Sequence, residues 1–516
     1  MDLTTLHFIL IFVFPISIIF LFSNISSKQQ QSQPSNGLLR PYPIVGNLPQ
    51  LLRHRHRFLD WMTELLSASP TNTISFHVLS NVRGIITANP SNVEHILKTN
   101  FDNYPKGPRF IHHLQDFLGR GIVNVDGHLW RVQRKTVSFE FNTRSLRNFV
   151  VVNVQHEILS RLLPLLRKSS RTGAAIDLQD VLERFAFDNI CKFAFNEDPV
   201  CLSDHDDHVS ENNLLSRFAQ AFKSAAELSA GRFTYAVPWF WIITRLLNIG
   251  TERQLRESIA TVHAFATQII RSRKKEKNLH DRADDLLSRF ISNEDNTDDE
   301  LLRDIIISFT FAGREGTSSA LTWFFWLLSR HPEVEHKILQ EISAVRAARR
   351  QGGGDNSTET FEFEELREMQ YLHAAISEAM RLYPPLFVNS TMCQSDDVLP
   401  DGTLIKKGMF VVFSAYCMGR MESIWGKDCL EFKPERWLDG EGAFRNESPY
   451  RYPVFHAGPR MCLGKEMAYI QMKSIAAFVL ERFMVDVLHK DKEPERVPSL
   501  TLKMKHGLFV GIRDRN

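Results

Sequence analysis

Apolar residues recur at three- and four-residue intervals along most of the chain, the spacing of helices that bury one face. The longest such run is Leu301 to Arg330, LLRDIIISFTFAGREGTSSALTWFFWLLSR. It is apolar nearly all round, which predicts a central buried helix. His331-Pro332 ends it, because a residue before proline is steered away from helical geometry. A second helix closes at SEAMRLYPP, residues 377–385. Strand-like alternation is scarcer. ISFHVL at 74–79 and GIITAN at 84–89 are predicted to pair, and VLPDGTLIKKGMFVVF at 398–413 to form a hairpin turning at Asp401-Gly402. The expected class is mainly α with a minor β region.

The front of the chain has a different pattern. Leu6 to Phe22, LHFILIFVFPISIIFLF, carries no formal charge with His7 neutral. Its 17 residues span ~26 Å as a helix, about the thickness of a thin bilayer core. Pro15 kinks such a helix without preventing it from spanning. Met1 to Thr5 hold Asp2 and no cation, and no small-x-small cleavage site follows, which argues against a cleaved leader. The first nearby cations, Lys28 and Arg40, come after the run and place the body on the cytosolic side. The expected organisation is a transmembrane anchor at 1–27, a linker with a stiff elbow (Pro41, Pro43, Gly46) at 28–47, and one domain at 48–516.

Composition narrows the function classes. Hydrophobic content of 43% and charged content of 24% are those of an ordinary globular protein. A balance of 62 basic against 60 acidic residues gives no case for a nucleic-acid partner. RHRHR at 53–57 and RSRKK at 271–275 read as solvated faces, with anionic lipid the alternative for the first. Six cysteines without a CxxC pair exclude a disulfide scaffold and fit a reducing compartment. GRGIVN at 119–124 lacks the third glycine of a dinucleotide site, and DHDDH at 204–208 reads as a solvated loop rather than a metal site.

Three stretches carry chemistry. AGREGTSS, residues 312–319, puts two glycines in four residues of the long helix, each costing about 1 kcal/mol relative to alanine. Charged Arg314 and Glu315 interrupt the apolar run. A distortion, a ligand's close approach, or tight helix packing would each explain it. In SEAMRLYPP, Glu378 and Arg381 share a helical face. FKPERW at 432–437 offers Arg436, and a second arginine near Glu378 would build a buried bidentate network. In FHAGPRMCLG, residues 455–464, Cys462 stands among Gly458, Pro459 and Gly464 and two positions after Arg460. A thiolate binds a soft metal or haem iron. Zinc needs more ligands than the lone nearby His456. A cysteine–histidine hydrolase is the other alternative. The loop favours something flat, with Arg460 placed to meet an anion.

FHAGPRMCLG resembles, at every fixed position, the haem-binding loop F-x-x-G-x-R-x-C-x-G of the cytochrome P450 superfamily. Other stretches fall in the family's order: the proline elbow, Trp130 with Arg134, AGREGT, the ExxR pair, PERW at 434–437, then the cysteine. The resemblance spans essentially the whole chain, including the anchor of microsomal members. It implies a cytochrome P450 fold and haem b, with Cys462 as the axial thiolate pushing electron density onto the iron. It implies haem-acid contacts from Arg460, Trp130 and Arg134, a cover over the thiolate from Phe455, and tight turns and packing at Gly458 and Gly464. Glu378, Arg381 and Arg436 would lock the core beneath. NADPH would supply electrons through a separate NADPH–cytochrome P450 reductase. The location implied is the endoplasmic reticulum membrane, crossed once, with the catalytic domain facing the cytosol.

The sequence departs from that pattern at one place. The family's central helix carries an acid followed at once by threonine, which delivers protons to dioxygen. Here Gly316 follows Glu315, and Thr317 comes one position late, about 100° further round the helix. Glu315 and Thr317 are the candidate proton-handling residues. The rival chemistries are rearrangement of a hydroperoxide without a reductase, and haem binding without catalysis. The regular cysteine loop favours monooxygenation.

AGREGTSSALTWFFWLLSRHP and FDNYPKGPRF resemble the plant branch that oxidises chain ends of fatty acids, jasmonate–amino acid conjugates or sterol side chains. A lipophilic substrate in a narrow apolar channel is implied. Candidate walls are Phe110, Phe117, Phe309, Ala312, Leu386, Phe387, Val388, Leu508 and Phe509, for some of which core packing is the equal alternative. Lys106 and Arg109 are candidates for a fatty acid's carboxylate.

Overall fold

The computed structural model describes residues 39 to 515, apart from 40, 43–44, 79–81, 139–140, 142–148, 203–213, 235–239, 277–285, 293–297 and 352–358. Leu6–Phe22, DHDDH and part of the elbow lie outside the described residues. Among the described residues no helix is long and apolar enough to cross a membrane. The chain forms two compact units, Met1–Pro105 with Val388–Gly426 and Lys106–Phe387 with Lys427–Asn516.

The first unit is a helix and a sheet. Helix α1 (Phe58–Ala68) buries Leu59, Trp61, Met62 and Leu66. The sheet runs in the order Thr73–Val78, Val82–Thr87, Phe410–Phe413, Asn389–Met392. The two strands expected near 74–89 pair antiparallel, with Ile74 opposite Ile86. The hairpin expected over 398–413 is shorter. Only Asp397–Val398 and Leu404–Ile405 pair, around Gly402 at φ +84°. Phe410–Phe413 instead lies parallel to Val82–Thr87 and antiparallel to Asn389–Met392. Its unbroken FVVF run suits an inner strand with neighbours on both edges. Asp397 ties this unit together: Tyr104 Oη, His95 Nε2 and Asn100 Nδ2 all meet its Oδ2 at 2.7, 2.8 and 2.9 Å.

The second unit is mainly helical. Its principal helices are α2 (Gly107–Leu118), α3 (Gly127–Ser138), α4 (Leu178–Phe195), α5 (Leu214–Gly231), α6 (Phe240–Leu247), α7 (Thr251–Glu276), α8 (Asp299–Ser329), α9 (Gln370–Leu382) and α10 (Lys465–Arg482). Asp298 starts α8 by accepting the Glu300 N–H at 2.9 Å. Arg330 caps its end, and Pro332 begins the next helix. Most side chains from Leu301 to Leu328 are buried, as the all-round apolar pattern requires. Two of the polar ones tie α8 to a strand: Ser319 Oγ and Trp323 Nε1 both donate to the Leu502 carbonyl, at 2.8 and 2.9 Å, pinning the Leu502–Met504 strand to α8. On α6 the pattern is reversed. Trp241 is buried, while Ile242, Ile243, Leu246 and Leu247 are exposed.

The two α8 glycines have separate reasons. The helix runs unbroken through AGREGTSS, so no distortion accounts for them. At Gly313 a Cβ would land on the Ile190 side chain of α4. Glycine is there because two helices approach closely. At Gly316 a Cβ would meet nothing within 4 Å.

Glu378, Arg381 and Arg436 come together in one network. Glu378 and Arg381 are both 0% exposed. Arg381 grips the carboxylate with Nε and Nη2 at 2.7 and 2.8 Å, and donates to the Cys429 and Glu431 carbonyls. Glu378 also accepts from the Lys433 N–H, Arg436 Nε and Trp437 Nε1, at 3.0, 3.3 and 2.9 Å. Removing either charge from such a pair costs about 3–5 kcal/mol, because its partner is left buried and uncompensated.

Alanine is a better helix former than glycine by about 1 kcal/mol, yet Gly313→Ala is expected to destabilise the protein, by about 1–3 kcal/mol of overpacking. Thermal unfolding of Gly313→Ala, Ile190→Ala and the double variant checks this. The double variant should be more stable than the sum of the two losses allows. Simple additivity would refute the contact.

Candidate functional site

FHAGPRMCLG folds as two short turns, Pro453–Phe455 and Gly458–Arg460, before α10 begins at Lys465. The Cys462 N–H donates to the Phe455 carbonyl at 2.8 Å and closes the loop. His456 and Gly458 both adopt positive φ, +60° and +63°. Gly458 is there for that conformation. Gly464 is not: its φ is −85°. Its N–H is the hydrogen bond to the Cys462 sulfur, and a Cβ there would lie 3.9 Å from Sγ. Phe455 packs against Tyr469 at 5.2 Å.

Of the six cysteines, four are buried, Cys201 is half-buried and Cys462 is exposed. Burial nonetheless pushes the Cys462 thiol up, against the Gly464 N–H and the charges of Arg134 and Lys465.

Beside the loop stands a cluster of cations. Arg460 lies over the Trp130 ring at 4.5 Å, pairs with Asp126, and donates to the Val125 carbonyl at 3.1 Å. Lys106 donates to the Val123 carbonyl at 2.6 Å. Burial, then the Arg460 charge, pushes its ammonium down to about 7. Burial also lowers Arg134 and Arg460, which repel one another. His456 feels Lys106, Arg460 and Arg134 and, chiefly through burial, falls to about 4. Lys106 and Arg460 both feel the Asp126 carboxylate, and Arg134 repels Arg460, so cations outnumber carboxylates in this cluster. Haem carries two acidic side chains, so the donor set fits that group. Lys106 thus stands beside the arginines and also against Phe110, whose ring its Nζ meets at 4.5 Å.

On α8 one strip is open. Ala312 is exposed, and Gly313 and Gly316 are half-exposed, within an otherwise buried stretch. Thr317 is only 7% exposed. Glu315 points into a closed ring of buried charges. Arg314 bridges Glu315 and Glu183 at 2.9 and 3.0 Å, and Lys503 bridges the same two carboxylates at 3.0 and 3.0 Å. Thr501 Oγ1 donates to Glu315 at 3.2 Å. Burial pushes the Glu183 carboxyl up, and Lys503, Arg314 and Lys223 outweigh it, holding it at about 2. Lys503 and Glu183 lie far from Glu315 in sequence, and no motif pointed to them.

The candidate channel residues divide. Phe117 and Leu508 are 0% and 3% exposed and offer a substrate almost no surface. Phe117 packs on Phe222 at 5.1 Å, and Phe309, at 8%, joins the same core. They are there for packing. Phe110, Ala312, Leu386, Phe387 and Phe509 keep accessible surface, as does Arg109. Val388 is half-buried in the first unit.

Comparison with known proteins gives the family. A family model described as Cytochrome P450 matches residues 37–509. Cytochrome P450 CYP94D108 of Paris polyphylla is 51% identical over 489 residues, covering 95% of this chain and 94% of that protein. Cytochrome P450 94B3 of Arabidopsis thaliana is 47% identical over 515 residues, covering 98% and 97%. Cytochrome P450 94A1 of Vicia sativa is 42% identical over 489 residues, covering 93% and 91%. The chain therefore belongs to the cytochrome P450 family of haem-thiolate monooxygenases.

Proposed function

We propose that this monooxygenase hydroxylates the terminal or near-terminal carbon of an aliphatic chain, in a fatty acid, a fatty-acid-derived conjugate or a sterol side chain. The observation that carries the reading is the open strip at Ala312 and Gly316 on a helix otherwise sealed in the core. A terminal methyl is slim, and its C–H bonds are stronger than internal ones, so it reacts only when positioning excludes the others. A flat, side-chain-poor strip admits such a terminus.

When bound, haem supplies the activation of dioxygen. The chain supplies the rest. Cys462 would hold the haem iron through its thiolate, and the Gly464 N–H would temper that charge. Arg460, Arg134, Lys106 and Trp130 would hold the acidic side chains of haem. Glu315 and Thr317 manage protons. Lys503 bonds Glu315 and also reaches Glu227 at 3.8 Å, where Glu227 is 46% exposed. That gives titratable groups in sequence from solvent to α8. Electrons come from NADPH through a separate reductase. The exposed apolar face of α6, together with Leu6–Phe22, supports residence at the endoplasmic reticulum membrane.

The glycine at 316, in place of a hydroxyl-bearing residue, favours one second reading, rearrangement of hydroperoxides. Turnover with reductase and NADPH on long-chain fatty acids and on hydroxylated sterols decides. Terminal hydroxylation with NADPH consumption is expected. Conversion of hydroperoxides without NADPH, and no oxidation of either panel, would overturn the proposal.

Cys462→Ala is expected to abolish the thiolate-type ferrous–CO spectrum, and survival of that spectrum would remove Cys462 as the ligand. Arg109→Ala is expected to raise the dissociation constant of a fatty acid about fivefold, the scale of one partly exposed ion pair, and to leave a sterol unchanged. Lys106→Met is expected to lower haem content without that selectivity. Equal weakening of both substrate types by Arg109→Ala would show that the residue does not meet a carboxylate.

A further inference from the structure

Asp126 stands at a junction that the haem reading does not use. One of its oxygens pairs with Arg460, two residues before Cys462. The same oxygen accepts the Lys106 N–H at 3.1 Å, and the other accepts the Gly107 N–H at 3.2 Å. Those two amides begin α2. The first N–H groups of a helix have no partner within it, and a carboxylate there also meets the positive end of the helix dipole. Lys106, the residue at the capping position, makes no side-chain cap. Pro108 removes one further donor. The carboxylate that closes α2 therefore comes from Asp126, one residue before α3. Two neighbouring carbonyls on the same strand of chain are also committed. Val125 accepts from Arg460, and Val123 accepts from Lys106 Nζ. The segment 123–126 is thus held by cations on one side and holds α2 on the other. Phe110, a residue with surface open to substrate, is carried on α2.

We infer that Asp126 is a positioning residue that divides Arg460 between itself and the acidic side chains of haem, and so couples cofactor anchorage to the order of the substrate-side helix α2. The inference rests on the reading of Arg460 as a haem-acid contact. A carboxylate on Arg460 weakens the pull of that guanidinium on any other anion. The same carboxylate stabilises α2. The two effects have opposite signs when Asp126 loses its charge, and this separates coupling from a plain structural role.

The test uses the full-length holoenzyme as wild type, Asp126→Asn and Asp126→Glu. Haem transfer to apomyoglobin reports anchorage, and amide hydrogen exchange over residues 107–118 reports α2. Asp126→Asn is expected to slow haem transfer and to speed exchange in α2 about fivefold, the scale of a lost helix cap. Asp126→Glu, which restores the charge, is expected to return both toward wild type. Faster haem transfer together with faster exchange would mean simple loosening, and an unchanged value of either would mean no division of Arg460; each overturns the inference. Failure of the haem-site reading itself would appear separately, as a thiolate-type spectrum surviving in Cys462→Ala.

Discussion

The Arg381–Glu378 bond is the interaction from which the second unit is organised. Neither side chain has any contact with solvent, so neither charge is tolerable without the other. Satisfying both leaves little freedom for the chain around them. Two guanidinium nitrogens take the two carboxylate oxygens, and the remaining donors fix the carbonyls of Cys429 and Glu431. The carboxylate in turn fixes Lys433, Arg436 and Trp437. One ion pair on α9 thus sets the path of the segment that leads toward the cysteine loop. Such a pair need not add net stability over an apolar core of the same shape; what it supplies is a single allowed arrangement.

The same economy of charge recurs around α8. Glu183, Arg314, Glu315 and Lys503 close a ring in which each cation touches both carboxylates. The ring is neutral, which is how four charges stay inside the core. The cluster at Lys106, Arg134, Arg460 and Asp126 is not neutral. Burial, and after it the Arg460 charge, lowers the Lys106 ammonium there. An excess of buried cations suits an anion, whereas the balanced ring lets four charges stay inside while it ties α4, α8 and the Leu502–Met504 strand together.

Much of the plan was legible in the sequence because it rests on local rules. The α8 run, its end before Pro332, the close of α9 at Tyr383 and the first strand pair follow from periodicity and proline geometry. The cysteine loop was legible because FHAGPRMCLG resembles a known haem-binding loop at every fixed position, where its residue types alone left a hydrolase open. What was not legible depends on residues far apart in sequence. The strand at Phe410 joined the sheet rather than its hairpin because a partner at Val82–Thr87 was available. Lys106 reads in sequence as a cation for a substrate carboxylate, and its ammonium is instead committed to the Val123 carbonyl beside Arg460. Phe117 and Phe309 look alike to Phe110 in sequence, yet only Phe110 retains appreciable surface. Gly313 and Gly316 stand three apart, and only the approach of Ile190 distinguishes them.

Helix α6 has a practical meaning for handling the protein. Ile242, Ile243, Leu246 and Leu247 are 43%, 40%, 80% and 62% exposed, and Ile249 just beyond is 50% exposed. A chain trimmed of Leu6–Phe22 keeps this face. Its colloidal behaviour in water is then set by the body of the enzyme, and a detergent or lipid that covers α6 matters as much as the presence or removal of the amino-terminal run.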